Sequence, residues 1–190
     1  LVWECHRRGV RLILDFVANH TSERHPWFIE SRASRQSPRR DWYLWRDPAP
    51  GDGPPNNWQS AFGGPAWTFD EASGQYYLHS FLPQQPDLDW RNPAVVEAMQ
   101  GIARWWLSRG IDGFRIDAAS RLLKDPSFAD NPPRGNADGG SNHHLHPDLP
   151  GALQAIRSVV EEFPGCVAIG EVYAPPRAMA GLYGRNGEGL

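Results

Sequence analysis

Three short apolar runs, each carrying a carboxylate at or near its C-terminal end, constrain this chain more than any other feature. Arg11-Leu12-Ile13-Leu14-Asp15-Phe16-Val17 is nearly continuous in its hydrophobicity, the pattern of a strand buried on both faces. Gly113-Phe114-Arg115-Ile116-Asp117 and Cys166-Val167-Ala168-Ile169-Gly170-Glu171 repeat the theme, and each reaches its acid where parallel α/β folds gather their chemistry. Alternate residues of a strand share a face, so Arg115 and Asp117 project together. Strands are expected over 11–17, 111–117 and 166–172.

Helical periodicity fills the intervals. Asn92 is a good N-cap, Pro93 suits the first helical position, and Val95, Met99, Ile102 and Trp106 recur at three- and four-residue spacing. A helix over 93–109, closed by Gly110, follows from this. A second begins near Pro150, carries Leu153, Ile156, Val160 and Phe163, and stops at Pro164-Gly165. Residues 1–8 read as the last turns of another, with Gly9 in the C′ position. Repeated helix and strand imply a parallel sheet. Long loops after the strands and short turns before them mark a (β/α) barrel rather than a doubly wound sheet. No Gly-x-Gly-x-x-Gly or Walker sequence follows a strand, so nucleotide binding has no support.

Residues 20–92 are too many for an unstructured loop. Within them, 66–70 and 75–79 flank Glu71-Ala72-Ser73-Gly74 and read as a hairpin, so a small β-containing subdomain is expected there. The stretch 119–148 is rich in Asn, Asp, Gly and Pro and reads as loop, as do residues 184–190. Both ends look internal, and the chain is expected to be a piece of a longer protein.

Composition narrows the partners. A net charge of -3 supplies no basic field for nucleic acid or for an anionic membrane. No apolar run approaches the roughly 20 residues that span a bilayer. The two cysteines, Cys5 and Cys166, make no disulfide framework and read as small hydrophobes, so a cytoplasmic location is the expectation. Nine tryptophans suit sugar rings as well as cores, and most are expected to pack.

The charge of Arg115 should hold Asp117 ionised, while a carboxyl near another and partly desolvated tends to keep its proton. Glycoside hydrolysis requires such a pair, and acids at matching depth on adjacent strands approach the ~5 Å separation that suits retention. The bland alternative is a structural ion pair plus an unrelated acid. Asp15, inside its strand, must be paired if buried, and Arg115 is the obvious partner. Asn19 and His20 lie where the strand opens into the insertion. They could face the same pocket, or be a loop cap and a satisfied histidine. Three acids on three strands could instead hold a divalent metal, though Arg115 would repel it. Asn142-His143-His144-Leu145-His146 could also ligate a metal, without an evident fourth ligand. Arg32, Arg35, Arg39 and Arg40 read as a solvated face.

Taken together these segments resemble glycoside hydrolase family 13, the α-amylase family, over essentially the whole chain. Asp15-Phe16-Val17-Ala18-Asn19-His20, Gly113 to Asp117, and Gly170-Glu171 resemble its first three conserved regions in order. Gln85-Pro86-Asp87-Leu88-Asp89-Trp90, Phe62 to Trp67, and Gly74 to His79 are similar to the oligo-1,6-glucosidase and α-glucosidase branch. The resemblance implies a partial (β/α)8 TIM barrel, about three parallel strands with their helices from residues 1–19 and 93–190, with 20–92 as an inserted domain. It implies Asp117 as nucleophile, Glu171 as general acid/base, and Arg115 as the residue that orients and ionises Asp117. Arg115 would stand with His20 on the substrate-binding side, and Asp15 and Asn19 would be structural support. Ala118 would shape the aglycone subsite, its small side chain favouring α-1,4 linkages. The substrate implied is an oligosaccharide or other α-glucoside, hydrolysed or transferred. The family's fourth region, a His-Asp pair, is not found after Glu171. Asn19 corresponds to a calcium ligand of α-amylases that α-glucosidases generally lack, so no metal and no cofactor are implied. Non-catalytic relatives that act as binding partners, and a carboxylate metal-dependent barrel enzyme, are the alternative readings.

Overall fold

The computed structural model describes residues 1–133 and 141–183. The terminal stretch 184–190, read as loop, lies outside these residues, as do positions 134–140 of the loop 119–148.

The elements run α1 (Val2–Arg7), β1 (Ile13–Val17), α2 (Pro26–Ala33), β2 (Trp45–Arg46), β3 (Trp67–Asp70), β4 (Gln75–Leu78), α3 (Pro93–Leu107), β5 (Gly113–Asp117), α4 (Leu149–Glu161), β6 (Val167–Gly170) and α5 (Pro176–Leu182). β1, β5 and β6 form one parallel sheet with β5 in the middle, as the repeated helix–strand order requires. Its register sets Asp15 beside Arg115 and Val17 beside Asp117, and on the other side Ile116 beside Gly170. Gly113 permits this pairing. It adopts φ +146°, and a β-carbon there would lie 2.0 Å from the Val167 carbonyl oxygen.

Helices cover only one face of that sheet. Phe16, Phe114 and Ile116 turn toward α3 and α4 and are almost wholly buried, Phe16 and Phe114 with ring centroids 5.0 Å apart. α3 starts where Asn92 accepts from the Ala94 amide, with Pro93 following. Its buried stripe is Val95, Met99, Ala103 and Leu107. Of the two others expected in that stripe, Ile102 is only partly buried against the same core and Trp106 is 39% exposed. α4 buries Leu153, Ile156 and Val160 as anticipated, and Arg104 of α3 forks onto Glu162 just beyond α4.

The other face of the sheet is open, and this corrects the reading of β1 as buried on both sides. Ile13 and Val17 are 40% and 44% exposed. They project with Asp15 away from the helices, so the hydrophobicity of the run reports one buried face and one uncovered one.

The antiparallel sheet, in the order β2-β4-β3, lies within residues 20–92. The expected hairpin is present, with Asp70 paired to Gln75 and Gly74 at φ +65°. Aromatic rings assemble this region: Phe28 packs edge-on to Tyr43 and Tyr77 and stacks on Trp45, while Trp58 stacks on Trp67. The first of these groups runs continuously into the core between the parallel sheet and its helices. Trp90 closes the seam by donating from Nε1 to the Ala18 carbonyl at 2.7 Å.

Candidate active site

The C-terminal ends of β1, β5 and β6 converge on one guanidinium. Arg115 Nη1 lies 2.9 Å from Asp117 Oδ1 and 3.2 Å from Asp15 Oδ1, and Nη2 lies 2.7 Å from Glu171 Oε1. The reach to Asp117 follows from the two-residue strand period, and that to Asp15 from direct register pairing. The pair with Glu171 was not foreseen, since Arg115 was assigned to Asp117 and Asp15. It arises because the Glu171 amide continues the ladder to the Ile116 carbonyl at 2.9 Å, one residue beyond β6. Asp15 departs from expectation in a second way. Its side chain is 64% exposed on the open face, so it is a paired surface carboxylate and not a buried one.

Ala118 bends the chain sharply after Asp117, in the left-handed region at φ +47°. The turn of 3-10 helix over Ala119–Arg121 follows. This bend presents the Ala118 amide to Glu171 Oε2 at 3.3 Å and the Ala119 amide to the Glu171 carbonyl at 3.1 Å. Glu171 is thereby fixed at both its backbone and its carboxylate.

Beside the acids lies a cavity of about 560 Å³, lined by His20, Asp117 and Glu171. That volume suits a small sugar. Phe62, Phe81, Ser120, Arg121, His144 and Tyr173 also line it. His20 is carried in by antiparallel pairing of 19–21 with 86–88, through Leu88 N to the Asn19 carbonyl and Thr21 N to the Pro86 carbonyl. It packs on Phe81 with centroids 5.3 Å apart, and Gln85 Nε2 approaches its Nε2 at 2.9 Å. Burial pulls its pKa below the usual imidazole value, against the fields of Asp87 and Asp117.

Under His20 lies a fully buried ion pair. Lys124 Nζ sits 2.8 Å from Asp87 Oδ2 and donates to Asn19 Oδ1 at 2.8 Å and to the Arg121 carbonyl at 2.6 Å. Asp87 also accepts from Asn19 Nδ2 and the Ser80 amide. The expected supporting role of Asn19 thus has a physical basis: it joins the end of β1 to the insertion and to the loop after β5. Lys124 itself was missed. Its side-chain partners Asp87 and Asn19 are distant in sequence, Asn19 by 105 positions, and only the apolar neighbours Leu122 and Leu123 hinted that it is buried.

No group of three or more His, Cys, Asp or Glu among the described residues could hold a metal ion. The Asn19 and Asp87 oxygens face the Lys124 ammonium, and the three strand-end acids face Arg115. His143 stacks on Trp58 and His144 bonds Ser120 Oγ at 2.9 Å, so the histidine run is spent on packing and hydrogen bonding. Of the four arginines read as a solvated face, Arg32 pairs with the buried Asp70, and Arg40 lies over the Trp45 ring and bonds Gln75.

A carboxylate pair at parallel strand ends, beside a cavity at the C-terminal edge of the sheet, is an arrangement that barrel enzymes acting on glycosides share. Residues 1–189 match the α-amylase catalytic domain, and the chain belongs to that family. It is 44% identical to the probable α-glucosidase of Rhizobium meliloti (strain 1021), across 99% of this chain and 37% of that protein. It is 40% identical to the oligo-1,6-glucosidase of Heyndrickxia coagulans, across 96% of this chain and 33% of that one. Among solved structures, the isomaltulose synthase of Erwinia rhapontici NX5 superposes with a TM-score of 0.92 at 35% identity, over the whole chain and 34% of the synthase. The trehalose-6-phosphate hydrolase of Bacillus licheniformis gives 0.91, also at 35% and with the same coverage. The chain thus spans about a third of the length of these relatives, and its parallel sheet is a sector of a TIM barrel.

Proposed function

We propose that the full-length protein containing this chain is a retaining α-glucosidase that releases glucose from α-linked gluco-oligosaccharides and can transfer it to a sugar hydroxyl. The observation that carries this reading is the shared guanidinium. Arg115 meets Asp117 through Nη1 and Glu171 through Nη2, and so gathers on the wall of one cavity the two carboxyl groups that a double displacement employs. In the first step Asp117 attacks the anomeric carbon while Glu171 gives its proton to the departing oxygen. In the second, Glu171 takes a proton from water, the water oxygen bonds the anomeric carbon, and Asp117 leaves. A sugar hydroxyl in place of that water gives transfer. His20, buried beside Asp117, hydrogen-bonds the glucosyl ring. Residues 20–92 act as an inserted domain that walls the pocket through Phe62, Phe81 and Gln85. The glucosidase names of the sequence relatives and the synthase among the structural ones support hydrolysis and transfer on this scaffold. The two free cysteines suit a reducing cytoplasm.

The test is Glu171→Ala in the full-length protein. Turnover of an aryl α-glucoside with a good leaving group should become limited by the second step, and azide should restore the rate as an α-glucosyl azide forms, since it displaces Asp117 from the β-linked intermediate. Asp117→Ala should lose about 10⁴-fold or more, without rescue that retains configuration. An Asp117→Ala enzyme with near-normal turnover removes the assignment.

A further inference from the structure

The cavity contains a second guanidinium that the double-displacement chemistry does not use. Arg121 lines the wall with Phe81, Ser120 and His144, its guanidinium 5.5 Å from the Phe81 ring centroid. No acceptor among the described residues bonds it, and its Nη1 is buried without a partner. The carboxylate whose field it feels is Asp87, which is already taken by Lys124, Ser80 and Asn19. Burial accordingly pulls the Arg121 pKa down. His144 is beside it. Its Nε2 meets Ser120 Oγ, its Nδ1 has no partner among the described residues, and burial together with Arg121 lowers its pKa to about 4. Near neutral pH this wall therefore offers one uncompensated positive charge and an uncharged ring.

The position of this wall relative to Glu171 decides what it meets. Arg121 ends the turn that opens at Ala118, whose amide contacts the Glu171 carboxylate. Glu171 is the group that protonates the leaving oxygen in the reaction proposed above, so the 118–121 turn flanks the leaving group and not the transferred glucose. A guanidinium only donates hydrogen bonds, and an unpaired one in a partly desolvated wall is most stabilised by anionic oxygens.

We infer that Arg121 is a specificity-determining residue of the aglycone side and selects α-glucosides whose leaving group carries an acidic group, a carboxylate or a phosphate monoester. The inference rests on the α-glucosidase reading. The reacting end of the cavity, with three carboxyls around one arginine, would by itself repel such a leaving group, so a preference for it reports Arg121.

The experiment compares two substrates in the full-length protein, maltobionate and maltitol. Both are α-1,4-glucosides of an open-chain polyol, and they differ by a carboxylate in place of a hydroxymethyl group. The expected kcat/KM ratio of maltobionate to maltitol is about tenfold or more, the gain of one charge-assisted hydrogen bond. In Arg121→Gln it should fall to one or below, and taking the ratio cancels any general loss of activity. A maltose phosphorylated on its reducing glucose, compared with maltose, separates phosphate from carboxylate as the favoured acid. A wild-type ratio at or below one for both acids overturns the inference without any variant, as does a ratio that survives Arg121→Gln. Activity on maltitol with a flat ratio removes this inference alone. Inactivity on every glucoside removes the hydrolase reading, and this one with it.

Discussion

At the scale of residues, one arginine sets the geometry of three acids. A lysine at position 115 would keep the charge but lose the planar fork that reaches Asp117 through Nη1 and Glu171 through Nη2. Arg115→Lys should therefore lower kcat by roughly 100-fold, as a misplaced acid pair does, while the thermal midpoint moves by only a few degrees. A rate within threefold of wild type would show that the fork orients nothing. Half of this cluster could be read from sequence. Arg115 and Asp117 are two positions apart on one strand, and period two does the rest. The link to Glu171 could not be read, because it depends on the register between β5 and β6. Asp15 was placed correctly against Arg115 but assigned the wrong burial, since an apolar run does not say which of its faces is covered. Lys124 and Asn19 are 105 positions apart and meet only in the folded chain, so nothing local announces their bond.

Secondary elements were legible where local chemistry specifies them. Asn92-Pro93 begins α3, Gly110 follows its end at φ +86°, and the Gly74 turn forms the hairpin. α2 went unread because Pro26–Ala33 carries no apolar stripe. It is positioned by His25, which caps Trp27 N, and by the buried ring of Phe28. Gly113 passed as an ordinary strand start, yet it is the residue on which the central strand depends. A methyl group at this position would collide with the Val167 backbone, which belongs to β6 and cannot rotate away as a side chain would. The strand carrying Glu171 would have to separate from the one carrying Asp117. Gly113→Ala should destabilise the full-length protein by roughly 3 kcal/mol or more and abolish activity. The check is calorimetry with turnover on the same preparation. An unchanged midpoint would mean that the strands can part without penalty.

Among the described residues, the parallel sheet has a packed core on one side and none on the other. Phe114, Ile116, Leu153 and Ile156 are buried against the helices, whereas Val167 and Ile169 on the opposite face are 47% and 51% exposed, much like Ile13 and Val17. β1 and β6 also form the two margins of the sheet, and among the described residues each has one side of its backbone ladder unpaired. β-branched residues around an open sheet edge favour pairing with another chain over a stable monomer. The insertion does not relieve this, because its aromatic core joins the covered side and leaves the open face bare. The polypeptide of residues 1–190, produced by itself, should therefore associate and bind a hydrophobic dye strongly. Its turnover on an aryl α-glucoside should lie at least 10³-fold below that of the full-length protein, since Asp117 and Glu171 line a cavity on a sheet whose other face is uncovered and hold no fixed geometry once that sheet associates. Size exclusion, dye fluorescence and the glucoside assay on one preparation decide the matter. A soluble monomer with near full-length activity would show that three strands suffice to hold the site, and that the exposed valines and isoleucines do not direct assembly.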